Sequence, residues 1–243
     1  MPALDGGGHS WADPGFRWQA EQVTSEPSLR QWLRALPVFD RDRLPEFDPE
    51  AAPATPAALY LDWLRTAVDA GVPAPHAMVL STAGADGRVT ARTLIVKDID
   101  ADLWCVATSA DSPKAGQLAE NPRAALTTFW GPLGRQIRIT GTVRDLGDAA
   151  AAADFHARPS GSRAAALVGH QSEVLTDRQT YWDAFAAALT RLEEHPDTEL
   201  PSWRSYGLRA ETVEFWQTTA DAGQIRLRYR RTGNDWNREL LWP

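Results

Sequence analysis

At 243 residues with 43% apolar side chains, the chain can bury the core of one large domain or two small ones. Its formal net charge of -7 argues against general nucleic-acid binding, which needs a surplus of Lys and Arg on some face, so any anion site must be local. Cys105 is the single cysteine, which excludes an internal disulfide and a cysteine-based zinc cage.

Residues 1–54 are rich in Pro, Gly, Asp and Arg. With Trp11, Trp18, Trp32 and Phe39 scattered and no sustained apolar period, they read as an N-terminal extension, partly disordered, that gains order after about residue 28. The start around Asp5, Gly6 and His9 holds no apolar leader segment, and no apolar run approaches the ~20 residues of a membrane span. A soluble, cytoplasmic protein is the default expectation. Thr55 and Pro56 then supply an N-cap and an N1 proline for an amphipathic helix through Leu59, Trp63 and Val68, ending at Gly71.

Strand patterns follow at 77–82, 89–97, 103–108, 124–130 and 136–143, with a turn at Asp86-Gly87 and a short helix opened by Ser112-Pro113. Helices are expected at 148–157, 161–169 and 176–194, and closing strands at 205–217, 224–231 and 235–241. In the second of these, Ile225, Leu227 and Tyr229 alternate with Arg226, Arg228 and Arg230, the pattern of a half-buried strand. Many antiparallel strands with helices between them predict a barrel in an α+β protein rather than a βαβ fold.

Several chemistries drop out. The chain has no GxGxxG after a strand, no Walker A loop, no GxSxG elbow and no HExxH, and its five histidines lack metal-ligand spacing, so no metal site is expected. What remains is a group of cations and hydroxyls at strand ends and a helix start: Arg92, Lys97, Thr108, Ser109 and Lys114. A phosphate dianion calls for such a convergence. Taken singly, each of these cations would more often be solvated.

The run Arg92-Thr-Leu-Ile-Val-Lys97, then Ser112-Pro-Lys114, Glu120-Asn-Pro-Arg123, Gly134-Arg-Gln136-Ile-Arg138, Phe155-His-Ala-Arg158-Pro, Gln171-Ser172, Glu214-Phe-Trp216 and the closing Arg226-Leu-Arg-Tyr-Arg-Arg resembles the pyridoxamine 5'-phosphate oxidase family. The likeness spans residues 55–243. It implies an α+β, FMN-binding split β-barrel, mostly antiparallel with peripheral helices, whose C-terminal part serves dimerisation. It further implies a homodimer with FMN at the subunit interface and reoxidation by molecular oxygen.

Carried over residue by residue, the resemblance puts Arg92 and Lys114 on the FMN phosphate with Thr108 nearby, and lines the flavin with Thr93, Leu94, Ile95, Val96 and Lys97. Gln136, Gln171, Ser172, Trp216 and Arg226 match further flavin contacts, some of them donated by the second subunit. Ala107 and Pro113 replace an aromatic and an arginine of the family's pattern. The substrate's phosphate site corresponds to Lys97, Asp154, Arg158 and Ser162, with Asp154 in place of a tyrosine. Ala222 and Gln224 replace an Arg-x-His pair that orients the family's substrate, unless the 218–223 loop has shifted and another arginine serves.

A carboxylate beside a phosphate repels it, so the expectation is an oxidase with an altered small-molecule substrate: an amine or a dihydroaromatic, phenazine-like intermediate of secondary metabolism. Asp154 would then accept a proton or bind a substrate cation, with Gln224 helping to orient the substrate. The alternatives are an authentic pyridoxamine/pyridoxine 5'-phosphate oxidase and a non-enzymatic flavin- or tetrapyrrole-binding module.

Overall fold

A computed structural model describes residues 27–100 and 102–243. Trp11 and Trp18 of the expected extension lie outside the described residues. The chain divides into two units, Met1–Val38 and Phe39–Pro243. In the first, α1 (Leu29–Ala35) is opened by a capping box in which Ser28 and Gln31 exchange side-chain to backbone hydrogen bonds.

The second unit is built on one antiparallel sheet. Its strands are β1 (Ala77–Ala83), β2 (Val89–Ile95), β3 (Asp98–Asp100), β4 (Leu103–Ser109), β5 (Arg123–Trp130), β6 (Arg135–Asp145), β7 (Trp203–Thr218), β8 (Gln224–Thr232) and β9 (Asp235–Leu240). They run in the order β2-β1-β5-β6-β7-β4-β3, with β8 on β7 and β9 on β8. β2 and β3 follow one another across a two-residue bend at Val96–Lys97, the first pairing with β1 and the second with β4. That bend closes the sheet on itself as a barrel, and the amide of Lys97 donates to the Cys105 carbonyl just past it. The 89–97 pattern, expected as a single strand, thus ends at Ile95 and resumes as β3.

β7 also changes partner along its length. Residues 203–209 pair with β4 and 212–218 with β8, while β6 follows it throughout. At the changeover a register shift falls between Thr140 and Gly141, and a Cβ at Gly141 would stand 2.0 Å from the Arg209 carbonyl oxygen. Only glycine fits that approach. Arg231 secures the same place by donating to the Ala210 carbonyl at 2.7 Å and to Asp102 at 3.2 Å.

The core lies between the sheet and α2 (Pro56–Asp69), which begins at the Thr55 cap as its sequence requires. Tyr60 packs edge-on to Trp104 and Trp63 edge-on to Phe215, with ring centroids 4.7 and 5.1 Å apart. The helices α3 (Pro113–Glu120), α4 (Asp148–Ala157), α5 (Ser160–Val168) and α6 (Arg178–Glu194) fall where the patterns predict. Residues 39–54, by contrast, are laid on the barrel. Ala52 is buried, Phe47 packs edge-on to Trp63, and the carbonyls of Pro45, Ala52 and Pro53 accept from Gln217, Arg238 and Tyr229. The division of the chain by its contacts falls between Val38 and Phe39.

Candidate active site

The first part of the site is a pair of cations under α3. Arg92, on β2, reaches across β1 to the Thr82 hydroxyl at 2.6 Å and the Leu80 carbonyl at 3.2 Å, and also donates to Thr90. Both threonine hydroxyls donate in turn to Gln117 Oε1, which fixes their lone pairs toward the guanidinium. Lys114 stands in the first turn of α3, which Ser112 caps and Pro113 begins, and its Nζ meets the Thr108 hydroxyl at 3.0 Å. The lysine is only 5% exposed. Burial, and then the charge of Arg92, push its pKa down to about 8, and burial lowers that of Arg92 as well.

A buried lysine whose charge is opposed by burial and by a neighbouring guanidinium, both held by neutral partners, is an arrangement that an added anion relieves. The donors fit a phosphate dianion: a guanidinium, an ammonium, the Thr108 hydroxyl and the start of a capped helix.

The second part is a cleft of about 430 Å³ beside the bend between β2 and β3. It gathers the backbone segment Thr93, Leu94 and Ile95 with Lys97 and Thr108. Across from these stand Arg158 from the end of α4 and Gln171 from the loop after α5. Trp203, the first residue of β7, forms one wall; sequence reasoning did not single it out.

Asp154 is not among the cleft-lining residues. Its carboxylate accepts from the Trp203 indole N–H at 2.9 Å and stands 3.7 Å from Lys97 Nζ. The Arg158 guanidinium lies 4.4 Å over the Trp203 ring and donates to the main-chain carbonyl of Ser162 at 3.1 Å, while its Nε is buried without a partner. Burial lowers the Arg158 pKa and the charge of Asp154 opposes that. Ser162 thus contributes its carbonyl, and its hydroxyl is not at the cleft. Val96 is buried in the core, so only its backbone is available to a ligand.

A third group lies elsewhere, on β6, β7 and β8, where Gln136, Trp216 and Arg226 stand opposite one another in register. Trp216 donates its indole N–H to Gln224 at 2.5 Å, and Arg226 grips the buried Glu214 at 2.7 and 3.0 Å. Phe39 packs on Trp216 at 6.0 Å between centroids. Ala222 sits at a left-handed position, φ 69°, in a turn closed by Asp221, and the arginine that reaches this turn is Arg41, 2.7 Å from the Thr219 carbonyl. Ser172 is exposed with φ 75°. None of Gln136, Trp216, Gln224 and Arg226 lines the cleft. Another concavity, about 780 Å³ and bordered by Arg144, Arg209, Arg230 and Arg231, contains none of the predicted site residues. Among the described residues no cluster of His, Cys, Asp or Glu could hold a metal ion, and no helix is long and apolar enough to cross a membrane.

A split antiparallel barrel with a buried cation pair that fits a phosphate, beside a cleft lined by strand backbone, is an arrangement suited to a nucleotide-binding class of protein. Within it, residues 64–191 match the family described as pyridoxamine 5'-phosphate oxidase, and residues 203–243 match the pyridoxine 5'-phosphate oxidase C-terminal dimerisation region. The chain belongs to the pyridoxamine 5'-phosphate oxidase family. It is 37% identical over 208 residues to a pyridoxine/pyridoxamine 5'-phosphate oxidase of Thermosynechococcus vestitus, covering 84% of this chain and 95% of that one. To the protein of the same name from Salinispora arenicola it is 42% identical over 183 residues, covering 74% and 83%.

Among solved structures it is similar to PhzG from Burkholderia lata in complex with tetrahydrophenazine-1-carboxylic acid. The TM-score is 0.75 at 30% identity, over 83% of this chain and all of that one. An FMN-binding, pyridoxamine 5'-phosphate oxidase-related protein of Nostoc punctiforme shares the fold with a TM-score of 0.64 at 19% identity, over 79% of this chain and all of that one. The protein is accordingly a flavin-dependent oxidoreductase with FMN as cofactor, and it carries the dimerisation region of its family.

Proposed function

We propose that the protein oxidises a small anionic substrate, with pyridoxamine or pyridoxine 5'-phosphate the leading candidates, in a homodimer that holds FMN in a cleft shared by its subunits. The observation that carries this is the convergence of Lys97 and Arg158 on one cleft while Asp154 is turned onto Trp203. The repulsion expected from Asp154 is thereby reduced, and two cations against one carboxylate leave the cleft attractive to an anion. The names of the relatives support a phosphorylated vitamin as that anion. This ranks the authentic phosphate oxidase above the altered-substrate oxidase that the substitutions alone favour.

In this reading Arg92, Lys114 and Thr108 hold the cofactor phosphate and the backbone of Thr93–Lys97 lies along the flavin. Gln136, Trp216 and Arg226, which lie apart from the cleft in one chain, serve the site of the partner subunit. Held there, FMN would supply a two-electron acceptor for hydride from the substrate carbon, with molecular oxygen as the oxidant that would regenerate it and leave as hydrogen peroxide. For an amine substrate the resulting imine takes up water and releases ammonia and the aldehyde. Lys97 and Arg158 orient the substrate by its anionic group, and the protein's contribution is alignment.

A second reading, a carboxylated dihydroaromatic substrate of secondary metabolism, is favoured by Ala222 and Gln224, which leave that side of the pocket without the family's cation and imidazole. It is also favoured by the ligand of the Burkholderia lata protein, itself a carboxylic acid.

The test is anaerobic flavin bleaching followed by oxygen uptake and aldehyde assay on the FMN-loaded protein. The first reading expects pyridoxamine 5'-phosphate to bleach the flavin and yield aldehyde, with unphosphorylated pyridoxamine far slower. Bleaching by a carboxylated dihydroaromatic alone would transfer the case to the second reading. A flavin inert to both would sink the two together.

A further inference from the structure

Asp154 and Arg158 are four residues apart at the C-terminal end of α4, so they lie on one side of that helix a turn apart. Between them they grasp one indole. Asp154 takes the N–H at the edge of Trp203 and Arg158 covers its face. Trp203 is itself fixed: it is 7% exposed, begins β7 in register with Ser109, and packs against Phe155 with centroids 6.1 Å apart. We propose that Trp203 is a positioning residue of the substrate cleft, which holds the Asp154 carboxylate out of the cleft and presents Arg158 to the anionic group of the substrate.

The proposal rests on the reading of this cleft as the substrate site. Two features carry it. The indole N–H is the closest hydrogen-bonding partner of Asp154, at 2.9 Å against 3.7 Å for Lys97. Without that donor, the carboxylate is free to close further on Lys97, already 3.7 Å away, or on Arg158 and cancel the charge that the substrate needs. The guanidinium, stacked on the ring and tied by one nitrogen to the Ser162 carbonyl, keeps its plane fixed. A planar cation held in place loses little freedom when it takes an oxyanion.

The experiment is a double-mutant cycle on the FMN-loaded enzyme with pyridoxamine 5'-phosphate as probe, reading kcat and KM separately. W203F keeps a ring for Arg158 and removes the N–H; KM is expected to rise about tenfold while kcat stays within about threefold. D154N keeps an acceptor for the indole and removes the charge; KM is expected to stay level or fall. In the double variant W203F/D154N no carboxylate is left to intrude, and KM is expected to return to within about threefold of wild type. A W203F defect confined to kcat or to thermal stability, or one that D154N fails to rescue, overturns the proposal. A wild type that neither binds nor oxidises the probe instead overturns the reading of the site on which it rests.

Discussion

Lys114→Met should weaken FMN binding and yet stabilise the apoprotein. The lysine is 5% exposed, has a hydroxyl as its one side-chain partner, and lies against the charge of Arg92. Moving its pKa from 10.5 to about 8 corresponds to roughly 3 kcal/mol of lost preference for the charged form. At pH 7 the lysine is still protonated, so the folded apoprotein bears that cost. Methionine fills similar space without the charge and forfeits one hydrogen bond, of about 1 kcal/mol. The net gain is ~1–2 kcal/mol, or a rise of about 2–8 °C in melting temperature for a chain of this size.

FMN binding moves the other way. Loss of one charged hydrogen bond to phosphate costs about 1.5–3 kcal/mol, a factor of roughly 10 to 150 in Kd. The sign with pH follows from linkage. Because the folded pKa lies below the unfolded one, the unfolded chain binds more protons between about pH 8 and 10.5, and wild-type apoprotein should gain stability across that range relative to the variant. FMN prefers the protonated lysine, so wild-type Kd should rise above pH 8 by up to about tenfold per pH unit, and the variant should lack that rise. Flavin titration and calorimetric melts at pH 7 and 9 measure both. A variant that binds FMN within about twofold of wild type would refute the assignment of Lys114 to the phosphate.

Three further outcomes concern the barrel and its rim. Gly141→Ala drives a Cβ into the Arg209 carbonyl and should cost upwards of ~3 kcal/mol, whereas Gly116→Ala, with open space around it in α3, should gain about 0.5–1 kcal/mol; apoprotein melts that fail to separate the two would discredit the strand changeover. Tyr60→Phe removes a buried hydroxyl that has no partner among the described residues and whose pKa burial pushes up to about 12, so stability in urea melts should hold or rise by up to ~1 kcal/mol. A clear destabilisation would mean that the hydroxyl is hydrogen-bonded after all. Arg226→Ala leaves the buried Glu214 with Arg138 as its remaining partner and should lower stability by ~1–3 kcal/mol in urea melts, with an unchanged midpoint counting against that ion pair.

Alternation and caps made most of the barrel legible. The pattern Leu94 and Val96 inward with Thr93 and Ile95 outward reads as strand, and Thr55-Pro56 and Ser112-Pro113 announce their helices. The bend at Val96–Lys97 did not show as a bend: the inward set passes from Leu94 and Val96 to Ile99, with Lys97 and Asp98 both exposed, which in sequence reads as the end of a strand, and only the exchange of partners from β1 to β4 marks it. The course of residues 39–54 was hidden for another reason. The barrel holds that segment largely through backbone carbonyls, which leave no trace in side-chain type, and through single residues such as Phe47 and Ala52. The short α1 did carry a signal, the Ser28 and Gln31 spacing of a capping box, that a search for apolar period passes over.

The site was legible to the extent that its chemistry is local in sequence. Arg92, Thr108 and Lys114 are cations and a hydroxyl near strand ends and a helix start, and they do converge. Trp203 is different, since its role exists only through residues on α4 some 49 positions earlier, and nothing in a tryptophan opening a strand announces a carboxylate at its edge.

That contact also separates the two anion sites by charge. The Arg92 and Lys114 pair is held by neutral groups, so a dianion there meets two cations that repel one another until it arrives. The Lys97 and Arg158 pair has Asp154 beside it and already bears partial compensation. On the proposed reading, a cofactor phosphate is therefore favoured at the first pair and a substrate anion is held more weakly at the second. An enzyme that must keep its flavin while releasing a product at every turnover needs that ordering. Because Asp154 provides the compensation and Trp203 fixes where it sits, those two residues set how far apart the two affinities lie.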